Sequence, residues 1–176
     1  MKLQRLEEYL ISPKQAASIQ QLLSACFPDY PTGRTYYKQI PKFRYLYWQG
    51  NELIGHMAVE HRKMNIGGQL CTIFGVADLC VAEAHQSKKL ASNLLSELEQ
   101  LGKKIHIDFI VLIAQEHKLY ENNGFQLVSN TCRWLMIHKE QTLGVGQRKI
   151  KECLMYKSLR GQAWPDGLID FMGPIF

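Results

Sequence analysis

The apolar run FIVLIA, Phe109–Ala114, is the feature that most constrains how this chain can fold. An unbroken apolar run of this length predicts a strand that is buried on both faces. The preceding stretch, about Lys88–Lys103, carries leucine and alanine at helical spacing and predicts an amphipathic helix. Before that helix, Gln69–Ala82 predicts a long strand. A short helix ended by Gly124 follows, so the second half contains a strand–helix–strand–helix unit.

The first half of the chain reads as hairpins around one helix. Ser12 as N-cap and Pro13 at the first helical position predict where that helix begins. The segments KLQRLEEYLI, FRYLYWQ and LIGHMAVEHRKM predict three strands. A hairpin turn is expected at Gly50-Asn51 and another at NIGG, Asn65–Gly68.

The last part of the chain carries weaker patterns. Two more strands are predicted near Cys132–Lys139 and Cys153–Ser158, joined by a glycine-containing loop. Gly102 is placed near the end of the long helix, where glycine commonly stops a helix. The tail, residues 160–176, has neither helical nor strand periodicity.

These elements predict a single α/β (α+β) domain over residues 1–176, with a mixed, mostly antiparallel central sheet flanked by helices. The 176 residues, 46% of them hydrophobic, are enough for one ordinary core. Neither an internal repeat nor a Pro/Gly-rich linker divides the sequence.

Composition and charge limit the classes of ligand and partner that this chain is expected to bind. The formal net charge is +5, which suits an anionic ligand. The basic residues are dispersed in small groups such as Lys88–Lys89, so no nucleic-acid partner is expected. The longest apolar run is too short to span a bilayer, and the N-terminus lacks a signal-peptide core, so no membrane is expected. Five cysteines without a CxxC motif predict reduced thiols in a cytoplasmic protein, and no spacing predicts a metal site.

The loop HQSKKLA, between the long strand and the long helix, is polar and basic. A helix N-terminus offers backbone N–H groups and the positive end of the helix dipole, so Gln86–Ala91 predicts a phosphate site. Phosphate loops usually contain glycine, and this loop has none. The alternative is an ordinary helix start with solvated lysines.

Two motifs together resemble the GNAT superfamily of N-acetyltransferases. The family's loop signature, Gln/Arg-x-x-Gly-x-Gly/Ala, aligns with Gln86–Ala91, where Lys89 replaces the glycine. The later signature, Leu/Phe-Tyr-x-x-x-Gly-Phe, is matched by Leu119–Phe125. The resemblance places an acyl-CoA-binding core at about residues 53–128. A narrower resemblance to aminoglycoside 2'-N-acetyltransferases and a nodulation-related acyltransferase group rests on the glycine-poor loop and on AWPDG in the tail.

The resemblance implies acetyl-CoA as cosubstrate, without a metal. Its pyrophosphate is expected on the loop, and its pantetheine arm is expected to pair with the backbone of the strand end like an added strand. The expected cofactor-binding residues are Leu79, Cys80, Val81, Gln86, Ser87, Lys88, Lys89, Leu90, Ala91 and Ser92.

The resemblance also implies the catalytic groups. Tyr120 matches the family tyrosine that protonates the leaving CoA thiolate. On a regular strand, the face that holds Leu79 and Val81 carries no base, and Asp78 points to the other face. Glu60 is the preferred base and His56 shares its face. A bound water, or an amine that arrives neutral, stays open as an alternative.

Aromatic and acidic side chains suit a cationic amine acceptor. Tyr30 and Tyr36, after the first helix, form one expected substrate-binding lip. Trp164, Asp166 and Asp170 of the tail form the other. The alternative for the tail is that it packs across the sheet and covers an edge.

The predicted function is transfer of an acetyl group from acetyl-CoA to a primary amine of a small molecule, by direct transfer with a tyrosine general acid. A non-catalytic acyl-CoA-binding module and an acyltransferase that uses a longer acyl-CoA are the alternatives. A protein acceptor also stays open. The protein is expected to be a monomer or a homodimer.

Overall fold

The computed structural model describes residues 1–176, which form two compact units. The first unit combines Met1–Glu60 with Val76–Leu95, and the second combines His61–Gly75 with Ser96–Phe176.

The chain forms three α-helices: α1 (Pro13–Cys26), α2 (Leu90–Lys104) and α3 (Lys118–Glu121). Two short 3₁₀ helices span Glu8–Leu10 and Glu83–His85, and the remaining secondary structure is ten strands. They are β1 (Lys2–Glu7), β2 (Phe43–Gln49), β3 (Glu52–Ile66), β4 (Gln69–Val81), β5 (Phe109–Ile113), β6 (Gln126–Leu127), β7 (Thr131–His138), β8 (Gln141–Lys149), β9 (Leu154–Ser158) and β10 (Ile169–Asp170).

The first unit is built on an antiparallel ladder in which β1 pairs with β2 and β2 pairs with β3. Helix α1 begins with a capping box, in which the Ser12 side chain accepts from the Gln15 backbone and the Gln15 side chain accepts from Ser12. Its apolar face buries Ile19, Leu22 and Leu23, in one cluster with β2, β3 and β4 residues.

Strands of the second unit follow the order β6-β9-β5-β4-β3-β10-β7-β8, to which β3 and β4 contribute His61–Ile66 and Gln69–Gly75. Strand β5 pairs antiparallel with β9, and β7 pairs antiparallel with β8. The core cluster includes Ile73, Phe109, Val111, Leu154 and Phe171, all nearly inaccessible to solvent. The run FIVLIA therefore does form a buried strand, as its composition predicts.

The predicted class, a mixed and mostly antiparallel sheet with helices, is confirmed. One local prediction is wrong, and one short strand was not predicted. The glycine-containing loop after β7 is strand β8, which is exposed along much of its length and is held by its ladder with β7. The tail contains β10, which inserts between β3 and β7. Strand β8 shows no apolar periodicity, because backbone pairing rather than side-chain burial places it. Strand β10 has only two residues, which are too few to show a period, although Ile169 is fully buried.

The limits predicted for the long helix are also shifted. Helix α2 begins at Leu90 because Lys89 has a left-handed backbone, with φ of +60°. Gly102 does not stop the helix, which continues to Lys104. A side chain at Gly102 would collide with Leu159, so close packing explains this glycine. The left-handed residue after the helix is His106, with φ of +61°. No helix has the length and apolar character that crossing a membrane requires.

Candidate functional site

The backbone of strand β4 is irregular at Asp78, where φ is +51°. A positive φ is rare for a residue other than glycine and breaks the regular alternation of side chains. Burial shows the break, because Ala77, Asp78 and Leu79 are all partly exposed whereas Cys80 and Val81 are both buried. The prediction that Asp78 points away from the face of Leu79 assumed a regular strand. That assumption does not hold here.

A hydrogen bond from His56 on β3 holds the irregular backbone at Asp78 in place. His56 is fully buried, and its Nδ1 lies 2.8 Å from the Asp78 carbonyl oxygen. A carbonyl only accepts, so Nδ1 carries the proton and Nε2 has the lone pair. Nε2 accepts from Arg44 Nη1 at 2.9 Å. Both ring nitrogens of His56 are therefore occupied, which leaves His56 no lone pair for a substrate proton.

Arg44 is the second fully buried polar side chain of this network. Its Nε and Nη2 donate to the two carboxylate oxygens of Glu8 at 2.6 and 2.9 Å. Burial, and then the nearby Arg44 charge, lower the pKa of His56 to about 3. The imidazole is thus neutral at physiological pH.

The Asp78 carboxylate receives a hydrogen bond from Tyr30, with 2.7 Å between the Tyr30 hydroxyl and Oδ2. Burial raises the pKa of Asp78, while the Tyr30 hydrogen bond and the Arg44 charge act in the opposite direction. Burial and the Asp78 carboxylate raise the pKa of Tyr30. The sequence gives no sign of the contact between Tyr30 and Asp78, because that contact depends on the irregular backbone of β4 at Asp78.

The loop after β4 has the backbone that a glycine signature would give. Ser87 and Lys89 have φ of +61° and +60°. Left-handed backbone costs a residue with a side chain roughly 1 kcal/mol or more. Lys89, at the position of the signature glycine, therefore keeps the glycine conformation at an energetic cost.

Side chains of the loop fold back on it. Gln86 Nε2 donates to the Val81 carbonyl at 3.3 Å, which ties the loop to the end of β4. Lys88 Nζ donates to the Ala84 carbonyl at 3.1 Å. Lys89 is exposed. Lys88 is exposed too, and its ammonium donates to a carbonyl of the preceding 3₁₀ turn, whereas no such contact restrains Lys89.

The first turn of α2 is anchored by apolar contacts below the loop. Leu90 is buried in a cluster with Ile54 and Val81, and Ala91 packs against that cluster. Asn93 donates its backbone N–H to the Lys89 carbonyl at 2.9 Å, which starts the helical ladder. Backbone N–H groups of a first turn have no partner within their own helix. The predicted cofactor-binding residues of the loop, Gln86–Ser92, and of the strand end, Leu79–Val81, thus lie together in the first unit.

Tyr120 lies in α3 of the second unit and is partly buried. Its ring packs edge-to-face on buried Phe125, with 5.8 Å between centroids. Burial raises the pKa of Tyr120, so the phenol is protonated at neutral pH. The rest of the motif builds the turn: Gly124 has φ of +81°, and Phe125 donates its N–H to the Tyr120 carbonyl.

The remaining predicted residues fall in separate surroundings. Glu60 is partly buried on β3 in the first unit, and the guanidinium of Arg34 lies over the Tyr36 ring. In the second unit, the Trp164 indole donates to Asn130 and packs on Phe109 and Tyr156. Asp170 accepts from the Met172 backbone, and Asp166 is exposed.

The end of the tail packs within the second unit. Arg62 Nη2 donates to the Pro174 carbonyl at 2.6 Å, and its guanidinium lies 4.5 Å from the centre of the Phe176 ring. Phe176 fills the space beside Gly75, where a side chain would collide with the ring. These contacts agree with a tail that covers the sheet.

Residues 10–128 match the family model described as the acetyltransferase (GNAT) domain. No curated protein matches the chain. An N-acetyltransferase, YhbS, from Escherichia coli, solved in complex with CoA, is similar in fold, with 17% identity and a TM-score of 0.61 over 97% of this chain and 89% of that one.

Two further solved structures are similar. A GNAT family acetyltransferase from Brucella melitensis, in complex with acetyl-CoA, has 17% identity and a TM-score of 0.61 over 96% of this chain and 94% of that one. A GCN5-related N-acetyltransferase from Anabaena variabilis has 19% identity and a TM-score of 0.62 over 75% of this chain. The chain covers only 34% of the Anabaena protein. At these identities the similarity shows the fold.

Replacing Lys89 by glycine is expected to stabilise the protein by about 1 kcal/mol, because glycine adopts left-handed backbone without steric cost. Lys88→Gly removes the same charge from a residue without positive φ, so it should destabilise by about 0.5–1 kcal/mol. Urea unfolding of both variants measures the difference. Equal effects would show that Lys89 is not strained.

His56 is expected to make stability fall in acid. Its pKa is lowered from 6.5 to about 3 on folding, so between these values the unfolded chain binds a proton that the folded chain does not. The free energy of unfolding should therefore decrease by about 1.4 kcal/mol per pH unit as pH falls through this window.

The His56→Asn variant keeps a donor for the Asp78 carbonyl but does not titrate. Its unfolding free energy, measured by urea unfolding across the same pH range, should decrease less steeply by about one proton's contribution. The exposed His138→Gln variant is the matched control. An unchanged slope in His56→Asn would contradict the neutral, buried His56.

Proposed function

The chain belongs to the GNAT acetyltransferase family, whose domain model covers residues 10–128, and from that premise we propose that it transfers an acetyl group from acetyl-CoA to a primary amine of a small molecule. The observation that carries this proposal is the loop before α2. Its signature position is occupied by Lys89, yet the backbone there is left-handed, as a glycine would be. A residue strained in this way is commonly maintained for function.

The loop is proposed to hold the pyrophosphate of acetyl-CoA. Backbone N–H groups of Ser87–Ala91 and of Ser92, at the positive end of the helix dipole, are the proposed donors. The Gln86 N–H donates to the Glu83 carbonyl, so Gln86 is proposed to contribute through its side chain. Ser87 adds a hydroxyl. Lys88 and Lys89 add positive charge, and Lys89 is exposed and so accessible to a phosphate. All of these proposed groups are hydrogen-bond donors or positive charges, as an anionic pyrophosphate requires.

The end of β4 is proposed to pair with the pantetheine arm through the backbone of Leu79, Cys80 and Val81. Such pairing resembles addition of a strand to a sheet edge and uses main-chain donors and acceptors. The Val81 carbonyl accepts from Gln86, so loop and strand end are linked by one side chain.

Acetyl-CoA supplies an activated thioester whose carbonyl is attacked by the amine. Tyr120 is proposed to donate its phenolic proton to the departing CoA sulfur, since burial keeps this phenol protonated at neutral pH. The role rests on the match of Leu119–Phe125 to the family motif.

A carboxylate is proposed to accept the amine proton. Glu60 on β3 is the candidate from the sequence, and Asp78 is a second candidate that the structure adds. Burial raises the pKa of Asp78, which brings a carboxylate closer to the range useful for a general base. The hydrogen bond from Tyr30 fixes its orientation.

The acceptor is proposed to be a cationic amine bound by aromatic and acidic groups. Tyr30 and Tyr36 are the proposed contacts in the first unit, whereas Trp164, Asp166 and Asp170 stay predictions from the sequence. Aminoglycosides belong in the test panel because of the narrower resemblance of the loop and the AWPDG segment. We place the protein in the cytoplasm, as a monomer or homodimer. A longer acyl-CoA and a binding-only role are the alternatives.

Tyr120→Phe is expected to lower kcat by about 100-fold or more, because general acid catalysis commonly contributes this much. Thiol release from acetyl-CoA over a panel of amines, polyamines, aminoglycosides and peptides measures turnover, and calorimetry measures binding. Acetyl-CoA affinity should be unchanged. Tyr9→Phe, whose parent side chain is 79% exposed, is the control. Binding without turnover on every acceptor would favour the binding-only alternative.

The pH dependence of kcat/KM is expected to identify which carboxylate, Glu60 or Asp78, is the general base. Glu60→Gln or Asp78→Asn, whichever removes the base, should abolish the acidic limb of the profile and lower kcat/KM by about 100-fold. The other variant should retain the limb. A limb that persists in both variants would favour transfer to water or a neutral amine.

A further inference from the structure

A second cleft of the first unit, with a volume of about 500 Å³, lies among residues that the proposed acetyl transfer does not use. Side chains from β1, the first turn of α1 and the end of β2 line this cleft, together with the turn after β2. Its basic, amide and aromatic side chains are Lys2, Gln4, Lys14, Gln15, Trp48 and Asn51. A volume of this size is typical of sites that bind small ligands.

The ladder between β1 and β2 builds one wall of the cleft. Lys2 lies opposite Trp48, and Gln4 lies opposite Leu46. Opposite residues of an antiparallel pair, and residues two apart on one strand, project from the same face of the sheet. Leu46 on this face is buried in the apolar cluster with α1. The first turn of α1, which includes Lys14, therefore forms a second wall over the same face.

The lining of the cleft is basic. Neither Lys2 nor Lys14 takes part in an ion pair, and none of the lining residues is acidic. Gln15 Oε1 already accepts from the Ser12 backbone N–H at 2.9 Å and from the Ser12 hydroxyl at 2.8 Å. The Gln15 amide therefore has its N–H groups left to offer a ligand. These groups favour an anion over a cation.

Trp48 adds a fixed aromatic surface to the basic groups. Its side chain is half-buried and packs against the apolar cluster of α1 and the strands, which restrains the indole. The indole N–H has no hydrogen-bond partner within the protein and is not buried, so it is available to a ligand. Stacking on an aromatic side chain is a common source of affinity for a nucleobase.

We propose that this cleft binds a free nucleoside diphosphate. The base stacks on the Trp48 ring, and the phosphates contact the ammonium groups of Lys2 and Lys14, with the Gln15 amide as a further donor. A planar ring joined to a nearby negative charge uses both parts of the lining, whereas either part alone uses only one. The proposal does not rest on acetyl transfer, because the cleft shares no residue with Leu79–Val81 or Gln86–Ser92.

Nuclear magnetic resonance of the ¹⁵N-labelled full chain, with ADP as the probe, tests the location. The chain has three tryptophans, and the indole signal that is missing in Trp48→Phe belongs to Trp48. If this variant fails to fold, Trp134→Phe and Trp164→Phe identify the Trp48 signal by elimination. ADP should shift the Trp48 signal and leave the other two indole signals in place. An unshifted Trp48 signal at saturating ADP would overturn the proposal.

Calorimetry tests the two parts of the lining separately. ADP should bind at least about tenfold more tightly than adenosine or inorganic pyrophosphate, because each of these lacks one half of the ligand. Lys2→Gln and Lys14→Gln should each weaken ADP binding about fivefold. Lys42→Gln, which removes an exposed lysine of the first unit outside the cleft, is the matched control. Equal ADP affinity in all three lysine variants would contradict the proposal.

Acetyl-CoA itself carries an adenosine phosphate, so the titrations are repeated with acetyl-CoA at saturation. ADP should still shift the Trp48 signal and should bind within about twofold of its affinity for the free chain. A Trp48 signal that acetyl-CoA shifts by itself, and that ADP then no longer moves, would overturn a separate nucleotide site. A chain that binds no acetyl-CoA would overturn the proposed function, while the ADP site would stand on the Trp48 signal and the lysine variants.

Discussion

The hydrogen bond from His56 to the Asp78 carbonyl is the interaction on which the first unit depends. His56 is fully buried, so its imidazole cannot exchange this bond for one with water without cost. Arg44 fixes the ring from the other side, and Glu8 neutralises Arg44. This chain of contacts holds the left-handed residue in β4. The position of the Asp78 carboxylate opposite Tyr30 follows from it.

Asp78 in β4 and Lys89 in the loop before α2 both keep a left-handed backbone although neither is glycine. At Asp78 a buried network provides the compensation. At Lys89 the neighbouring contacts do so: Leu90 is buried just after it, and the Asn93 N–H binds the Lys89 carbonyl. The lysine thus combines the geometry of the family glycine with a positive charge. Both features suit a phosphate ligand. The left-handed backbone of Lys89 lowers the free energy of unfolding.

Much of this protein was determined by local sequence. The Ser12 cap, the hairpin turns, the apolar run Phe109–Ala114 and the turn built by Gly124 follow from the physics of neighbouring residues, and the two GNAT motifs lie on the elements expected for them. The strands β8 and β10, the irregular backbone of β4 at Asp78 and the contact between Tyr30 and Asp78 were decided only by tertiary structure. Each of these depends on a partner that is distant in the chain, such as a paired strand or a buried imidazole, whereas periodicity in the sequence reports only local burial.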